Sequence, residues 1–486
     1  TKYGRENKLP EPPEVISREA SLRLAEIILA NRKTLLDKNK SNDKDADEIN
    51  IFKAFLIINK EVNIKQNFGN AQDNVDKMAD MAITMAFSSA DIGLYSNTDW
   101  EFGKLLYTTI VKFEYLLEFL ASQKEYQYLE VALCKNFKEA DISDLNKQVK
   151  LLLATVFKMK YEKVYKLIPE KPEHIRFLNT LASVEIDEST DFTNLKNYPI
   201  YKIDEKTFSF IDYFFVVDKF FKSVRFILKD AYNTHHNLSP RDGAFFSFYN
   251  TKFSEEFLMK RILDDIFHWD YLVKRQDTKT KDNEPDYYAR HSNTIYLFEN
   301  KDVLVAAGIK SSSDIDEIKK LLKKKFLHDG DRAVGIGQLV TSIQQIFEND
   351  FKYDEYANQN ENLTIYPILI VSDRIFEILG MNYTLNKWYL ELVKEKLGNK
   401  YNPDFIKNLT FIDIDTLIFW QPHLRAKDFH LKDIIDDHHR KMNEVAKINN
   451  PNLQEAMKQA NESFYNRLSP IGNRFQEYKF PAALLV

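Results

Sequence analysis

Between residues 284 and 301 the chain reads Glu-Pro-Asp-Tyr-Tyr-Ala-Arg-His-Ser-Asn-Thr-Ile-Tyr-Leu-Phe-Glu-Asn-Lys. If the end of this stretch is a strand, alternation puts Ile295, Leu297, Glu299 and Lys301 on one face and Tyr296, Phe298 and Asn300 on the other. A carboxylate and an amine then leave the core-facing side together, at the strand's C-terminal end. Pro285 and the polar residues before it place Asp286 at or near the start of the neighbouring strand. Two carboxylates on adjacent strands suit a hard divalent cation, which takes oxygen ligands and keeps positions open for phosphate and water. A lysine beside them orients or helps deprotonate the attacking water, or stabilises charge developing on phosphorus. Together the three groups suit hydrolysis of a phosphodiester.

A carboxylate from a preceding helix could join them. At 100° per residue, Leu258, Met259, Ile262, Leu263, Ile266 and Phe267 form an apolar stripe. Glu255 falls near the middle of its direction and Glu256 near its edge. A carboxylate on a buried face needs a partner, and a metal supplies one. The other reading is that both acids decorate a helix N-terminus behind Ser254.

Pro285-Asp286, followed thirteen positions on by Glu299-Asn300-Lys301, resembles the PD-(D/E)XK nuclease superfamily, the restriction-endonuclease-like fold. The resemblance spans roughly residues 250–375. It implies Mg2+ or Mn2+ held by Asp286, Glu299 and the backbone carbonyl of Asn300, with Lys301 assisting catalysis. It also implies a helical glutamate at the site, Glu255 or Glu256, and a glutamine in the following helix, Gln338, that meets a phosphate or the attacking water. The recombination-type pattern would place a tyrosine four residues after Gln338, where this chain has Ser342. The implied substrate is nucleic acid, DNA ahead of RNA because most of the family cuts DNA. A nuclease with a large non-catalytic portion resembles gated effectors of bacterial antiviral defence.

The elements that must position these groups fall into four stretches. Residues 1–195 read as an irregular helical domain, with helices near 17–36, 51–60, 73–89, 101–122, 125–137 and 142–166 and a solvated polar loop at 38–50. It is a regulatory or partner-binding domain, through which a protein partner or a second copy would dock. Residues 196–250 form a strand pair and a helix (212–232). Residues 251–420 form the nuclease-like domain: a helix (254–267), a polar loop (276–284), strands near 286–289 and 294–300, helices near 314–326 and 337–348, a strand at 363–371, a helix near 384–397 and a strand at 409–418. Residues 421–486 return to polar helix. The class is α+β or α/β, a helical domain followed by a restriction-endonuclease-like α/β domain with a helical tail.

Composition narrows the alternatives. The chain has 486 residues, 68 Lys+Arg against 73 Asp+Glu, a net charge of −5 and one cysteine, Cys134. A single cysteine excludes a disulfide scaffold and a Cys-type zinc site. The mild acidity argues against a nonspecific nucleic-acid coater. The opening residues, through Pro10, Pro12 and Pro13, show no signal pattern, and the apolar stretch 208–228 carries Asp212, Asp218, Lys219, Lys222 and Arg225. No membrane span is expected, and the expected location is the cytoplasm. Gly330, Gly335 and Gly337 lack the Gly-Lys-Ser/Thr of a phosphate loop.

Lys310 and the lysines at 319, 320, 323, 324 and 325 could neutralise a phosphate backbone or simply line an exposed helix. His235-His236 and Asp436-Asp437-His438-His439 lack a well-spaced third ligand and read as solvated helix surface. Asp302 reads as solvated. Besides the nuclease, two other readings stand: a catalytically idle nuclease-fold scaffold or interaction module, and a purely structural helical protein.

Overall fold

The computed structural model describes residues 17–37, 43–64, 74–87, 92, 99–189, 191–268, 271–275, 285–310, 314–358, 362–444 and 453–475. The expected polar loop at 276–284 lies outside the described residues, as do Pro10, Pro12 and Pro13.

The chain opens on helices α1 (Arg18–Ala30), α2 (Lys44–Ile64), α3 (Val75–Phe87), α4 (Asp99–Ser122), α5 (Gln127–Phe137) and α6 (Ile142–Glu162). The solvated loop expected at 38–50 is helical from Lys44 onward. Four short strands follow: β1 (Lys166–Leu167), β2 (Ala182–Ser183), β3 (Ile200–Lys202) and β4 (Phe208–Phe210), in the sheet order β1-β4-β3-β2. The hairpin β3–β4 matches the expected strand pair. β1 and β2 are additions to a stretch read as helical, and at two residues each they are too short for alternation to reveal.

Two compact units emerge. One comprises residues 1–69, 92–99 and 131–227; the other 70–91, 100–130 and 228–486. The boundary expected at 195 is therefore not where the units divide. The physical reason is apolar: Ile83 and Phe87 of α3 belong to the core of the second unit. Phe119 of α4 packs on Phe253 and Phe257 with ring centroids 5.4 and 5.5 Å apart.

The second unit is built on a five-stranded mixed sheet. Its strands are β5 (Leu272–Arg275), β6 (Tyr287–His291), β7 (Thr294–Lys301), β10 (Thr364–Val371) and β11 (Thr410–Asp413), in the order β11-β10-β7-β6-β5. A small hairpin, β8 (His328–Asp329) with β9 (Arg332–Ala333), lies apart from it. β10 pairs in parallel with β7 and β11, whereas β6 runs antiparallel to both β7 and β5. β7 and β10 are buried almost end to end, as strands covered on both faces are. Ile295 and Leu297 enter a core with Ile318, Leu322 and Phe326 of α8 (Ile315–Phe326) and Leu339, Val340 and Ile343 of α9 (Ile336–Phe347). On the other face Tyr296 and Phe298 pack on Phe267, which follows α7 (Lys260–Ile266).

Pro367 sits inside β10, where a missing N–H would normally break a ladder. Its backbone points the way that of Ile365 does, toward the β11 side, where Ile365 pairs with Phe405 and Lys407. The β10–β11 ladder begins only at Ile368, so Pro367 removes no sheet bond. After β10 come α10 (Met381–Leu397), β11, α11 (Ile414–Ala426) and α12 (Leu431–Asn443). The strand expected over 409–418 stops at Asp413, whose carboxylate accepts the N–H of Thr416 (2.9 Å) and starts α11. The class is α+β.

Candidate functional site

Tyr287 of β6 lies opposite Phe298 of β7, so Asp286, one residue before β6, falls opposite Glu299. Directly opposed antiparallel residues share a face, which brings the two carboxylates to one side of the sheet. Asp286 Oδ2 accepts the backbone N–H of Asn300 at 2.8 Å. The N–H and C=O of one extended residue point toward the same neighbouring strand, so the Asn300 carbonyl also faces Asp286. Lys301 Nζ donates to Glu299 Oε2 at 3.2 Å; the Glu299 side chain is fully buried, while a fifth of that of Lys301 is exposed.

Gly335, at φ +50°, brings the start of α9 against this cluster: a Cβ there would meet Phe326 O at 3.1 Å and Lys301 Cε at 3.5 Å. Gln338 therefore belongs to the helix end beside Lys301. Its Oε1, however, accepts the Gly335 N–H at 2.8 Å, so this oxygen serves as the helix cap, a use the sequence reading did not foresee.

Glu255 and Glu256 part company. Glu256 forms an ion pair with Lys252 at 2.8 Å along the same helix, partly in solvent. Glu255 is half-buried and lies in the field of Asp286 and Lys301. Burial first and Asp286 second push its carboxyl up to about 8, with Lys301 pulling it back. Glu299 is raised well above the usual carboxylate range, by burial and then by Asp286. For Lys301, burial would favour discharge, but Glu299, Asp286 and Glu255 outweigh it, and the ammonium is held more firmly than usual. Residues 250–259 are π-helical rather than α-helical, which changes the angular step on which the wheel argument rested.

Glu299 Oε1 is buried and accepts no hydrogen bond, a costly state for a carboxylate oxygen. Asp286 faces it, and the Asn300 carbonyl points the same way. These groups fit Mg2+ or Mn2+, which settle on one or two carboxylates and keep several waters. Among the described residues no group of three or more His, Cys, Asp or Glu side chains could hold a metal ion.

Several residues differ from the sequence reading. Asp302 is buried, and its carboxylate accepts from Ser254 Oγ at 2.7 Å. His438 and His439 are buried, not solvated; His439 Nε2 lies 3.1 Å from Thr410 Oγ1. Burial pulls both imidazoles down, His439 to about 4. The lysine run on α8 is partly committed: Lys319 pairs with Asp80 at 2.6 Å, Lys324 with Asp329 at 3.7 Å, and Lys323 lies over the Trp388 ring.

The sequence reading missed a second cluster. Lys104 Nζ of α4 lies 3.2 Å from Glu377 and donates to Thr416 Oγ1 at 2.8 Å. The Thr416 hydroxyl reaches Asp413 Oδ2 at 2.5 Å, and Lys112 pairs with Asp415 at 2.6 Å. A Cβ on Gly472 would come 2.0 Å from Glu377 Oε1, so that glycine closes the cluster. No local signal marked the cluster, because Lys104 is one of several charged residues on α4, with Glu101, Lys112, Glu114 and Glu118.

Comparison with protein-family models, curated proteins and solved structures gives no match for this chain.

Proposed function

We propose that this chain is a metal-dependent nuclease that hydrolyses phosphodiester bonds. The observation that carries the reading is the opposition of Asp286 and Glu299 on adjacent strands, with Lys301 beside them and a buried Glu299 oxygen lacking any hydrogen bond. Asp286, Glu299 and the Asn300 carbonyl would hold Mg2+ or Mn2+. Such an ion supplies Lewis-acid charge and a more acidic bound water. Lys301, tethered to Glu299 yet partly exposed, donates to a phosphate oxygen as negative charge grows there. Glu255, in the field of Asp286 and Lys301, would stand beside the bound ion and the phosphate. Gln338 caps α9 beside Lys301 and contributes through that placement.

The order π-helical segment, β6, β7, α8, α9, β10 supports a restriction-endonuclease-like arrangement of this unit. By analogy with that family the substrate is DNA ahead of RNA. The same analogy makes the chain a gated cytoplasmic effector of antiviral defence, whose helical portion takes a protein partner or a second copy. Among the described residues no helix is long and apolar enough to cross a membrane.

The idle-scaffold reading has two observations in its favour: Lys301 satisfies one Glu299 oxygen, and Asp286 is bonded to backbone. Incubating plasmid DNA and single-stranded RNA with the protein under Mg2+, Mn2+ or chelator separates the two. Metal-dependent cleavage supports the nuclease, and intact nucleic acid under every condition supports the scaffold.

A further inference from the structure

Residues 250–259 are π-helical for their whole length, although π geometry in proteins is mostly limited to single turns. Two side chains of this segment reach the same residue on β7's exit. Ser254 Oγ donates to Asp302 Oδ2 at 2.7 Å, and Asn250 Nδ2 donates to the Asp302 backbone carbonyl at 2.8 Å. Both Ser254 and Asp302 are buried. On its other side the segment is held by Phe253 and Phe257 against Phe119. Glu255 follows Ser254 directly, and Lys301 precedes Asp302 directly. One grip therefore ties the helix carrying the glutamate to the strand end carrying the lysine. Relaxation to an α-helix, with fewer residues per turn, would rotate Glu255 about the helix axis.

We infer that Asp302 is a positioning residue: by holding Ser254 and Asn250 it keeps the segment π-helical and the Glu255 carboxyl turned toward Asp286 and Lys301. The inference rests on the nuclease reading for its activity readout alone.

The test uses the full chain and the variants Asp302→Ala, Asp302→Asn, Ser254→Ala, Glu255→Gln and the double variant Asp302→Ala/Glu255→Gln. Hydrogen exchange across residues 250–259 comes first, because it needs no activity. Asp302→Ala and Ser254→Ala should speed exchange there at least ~10-fold, while Asp302→Asn, which keeps an acceptor for the serine, should stay near wild type. Single-turnover cleavage of an oligonucleotide and its dissociation constant come second. Asp302→Ala should slow cleavage ~10- to 100-fold at an unchanged dissociation constant, with Asp302→Asn recovering most of the rate. In the Glu255→Gln background Asp302→Ala should cause no further loss, because the group it positions is already gone. Unchanged exchange at 250–259, or an Asp302→Ala loss that is as large without Glu255, overturns the inference. If the wild type cleaves nothing, the nuclease reading falls; the exchange data and their rescue by Asp302→Asn then decide the positioning claim alone.

Discussion

Two lysine–carboxylate clusters lie at the C-terminal ends of the parallel strands. Val371 of β10 is paired with Lys301 of β7 on one side and with Asp413 of β11 on the other. The two clusters share a sheet face, yet they are finished differently. Around Lys104, Glu377 and Asp413 are bonded to the lysine or to Thr416, and Gly472 closes the top. Around Lys301, Glu299 Oε1 is buried without a hydrogen bond, although the two lysines are about equally exposed. A buried ion cluster whose partners are all internal serves the fold. What sets the Lys301 cluster apart is the Glu299 oxygen without a hydrogen bond, the atom a cation from outside the chain would meet.

The widest separation between the two should appear in cleavage. Glu299→Gln or Asp286→Asn should lower the rate at least ~1,000-fold, because each removes a charge that the cation would need. The asparagine is chosen because Asp286 also caps the Asn300 N–H, which alanine would leave unbonded. Lys104→Met should do the reverse. Leaving Glu377 and Asp413 without their cation should cost about 3 kcal/mol in denaturant unfolding, with cleavage per folded molecule unchanged.

Metal should sharpen the contrast. Mg2+ at a hundred times its dissociation constant should stabilise the wild type by about 2.7 kcal/mol and Glu299→Gln hardly at all, read as a shift in unfolding midpoint. Lys104→Met should retain the full increment.

The pH dependence of stability tests the charges themselves. Glu255 and Glu377 are both pushed from 4.5 to about 8 in the folded chain, each by burial first and a facing aspartate second. Each favours the fold fully below about pH 4.5, where the unfolded chain is also protonated, and that contribution is lost as pH rises through about 8. Metal-free protein should therefore lose stability across that window. Glu255→Gln and Glu377→Gln should each flatten the loss, measured as unfolding free energy against pH. His439, lowered from 6.5 to about 4, acts in the opposite direction: its neutral ring costs stability as pH falls below about 6.5. The smallest effect belongs to Glu256, paired with Lys252 partly in solvent; Glu256→Gln should cost no more than about 0.5 kcal/mol and leave cleavage untouched.

Strand alternation made Glu299 and Lys301 legible as one face, and Pro285 marked the start of β6 near Asp286, because both signals are local. The grip of Ser254 and Asn250 on Asp302 was not legible. It depends on i→i+5 bonding in residues 250–259, for which a helical wheel at 100° has no provision. The Lys104 cluster was hidden for another reason: α4, the loop bearing Glu377 and the end of β11 meet only in three dimensions. His438 and His439 read as surface because acidic and basic residues flank them, although their own helix face turns inward. Alternation carried the reading through to β7 and a β-branched run carried it through to β10; at Asp413 one side-chain cap ended the strand that the pattern continued.

The most direct measurement sets one carboxylate from each cluster side by side. Single-turnover cleavage of plasmid DNA in Mg2+ is followed for wild type, Glu299→Gln and Glu377→Gln at equal concentrations of folded protein. The account requires cleavage by wild type and Glu377→Gln and none by Glu299→Gln. Cleavage by Glu299→Gln at the wild-type rate, or its loss in Glu377→Gln alone, would contradict it.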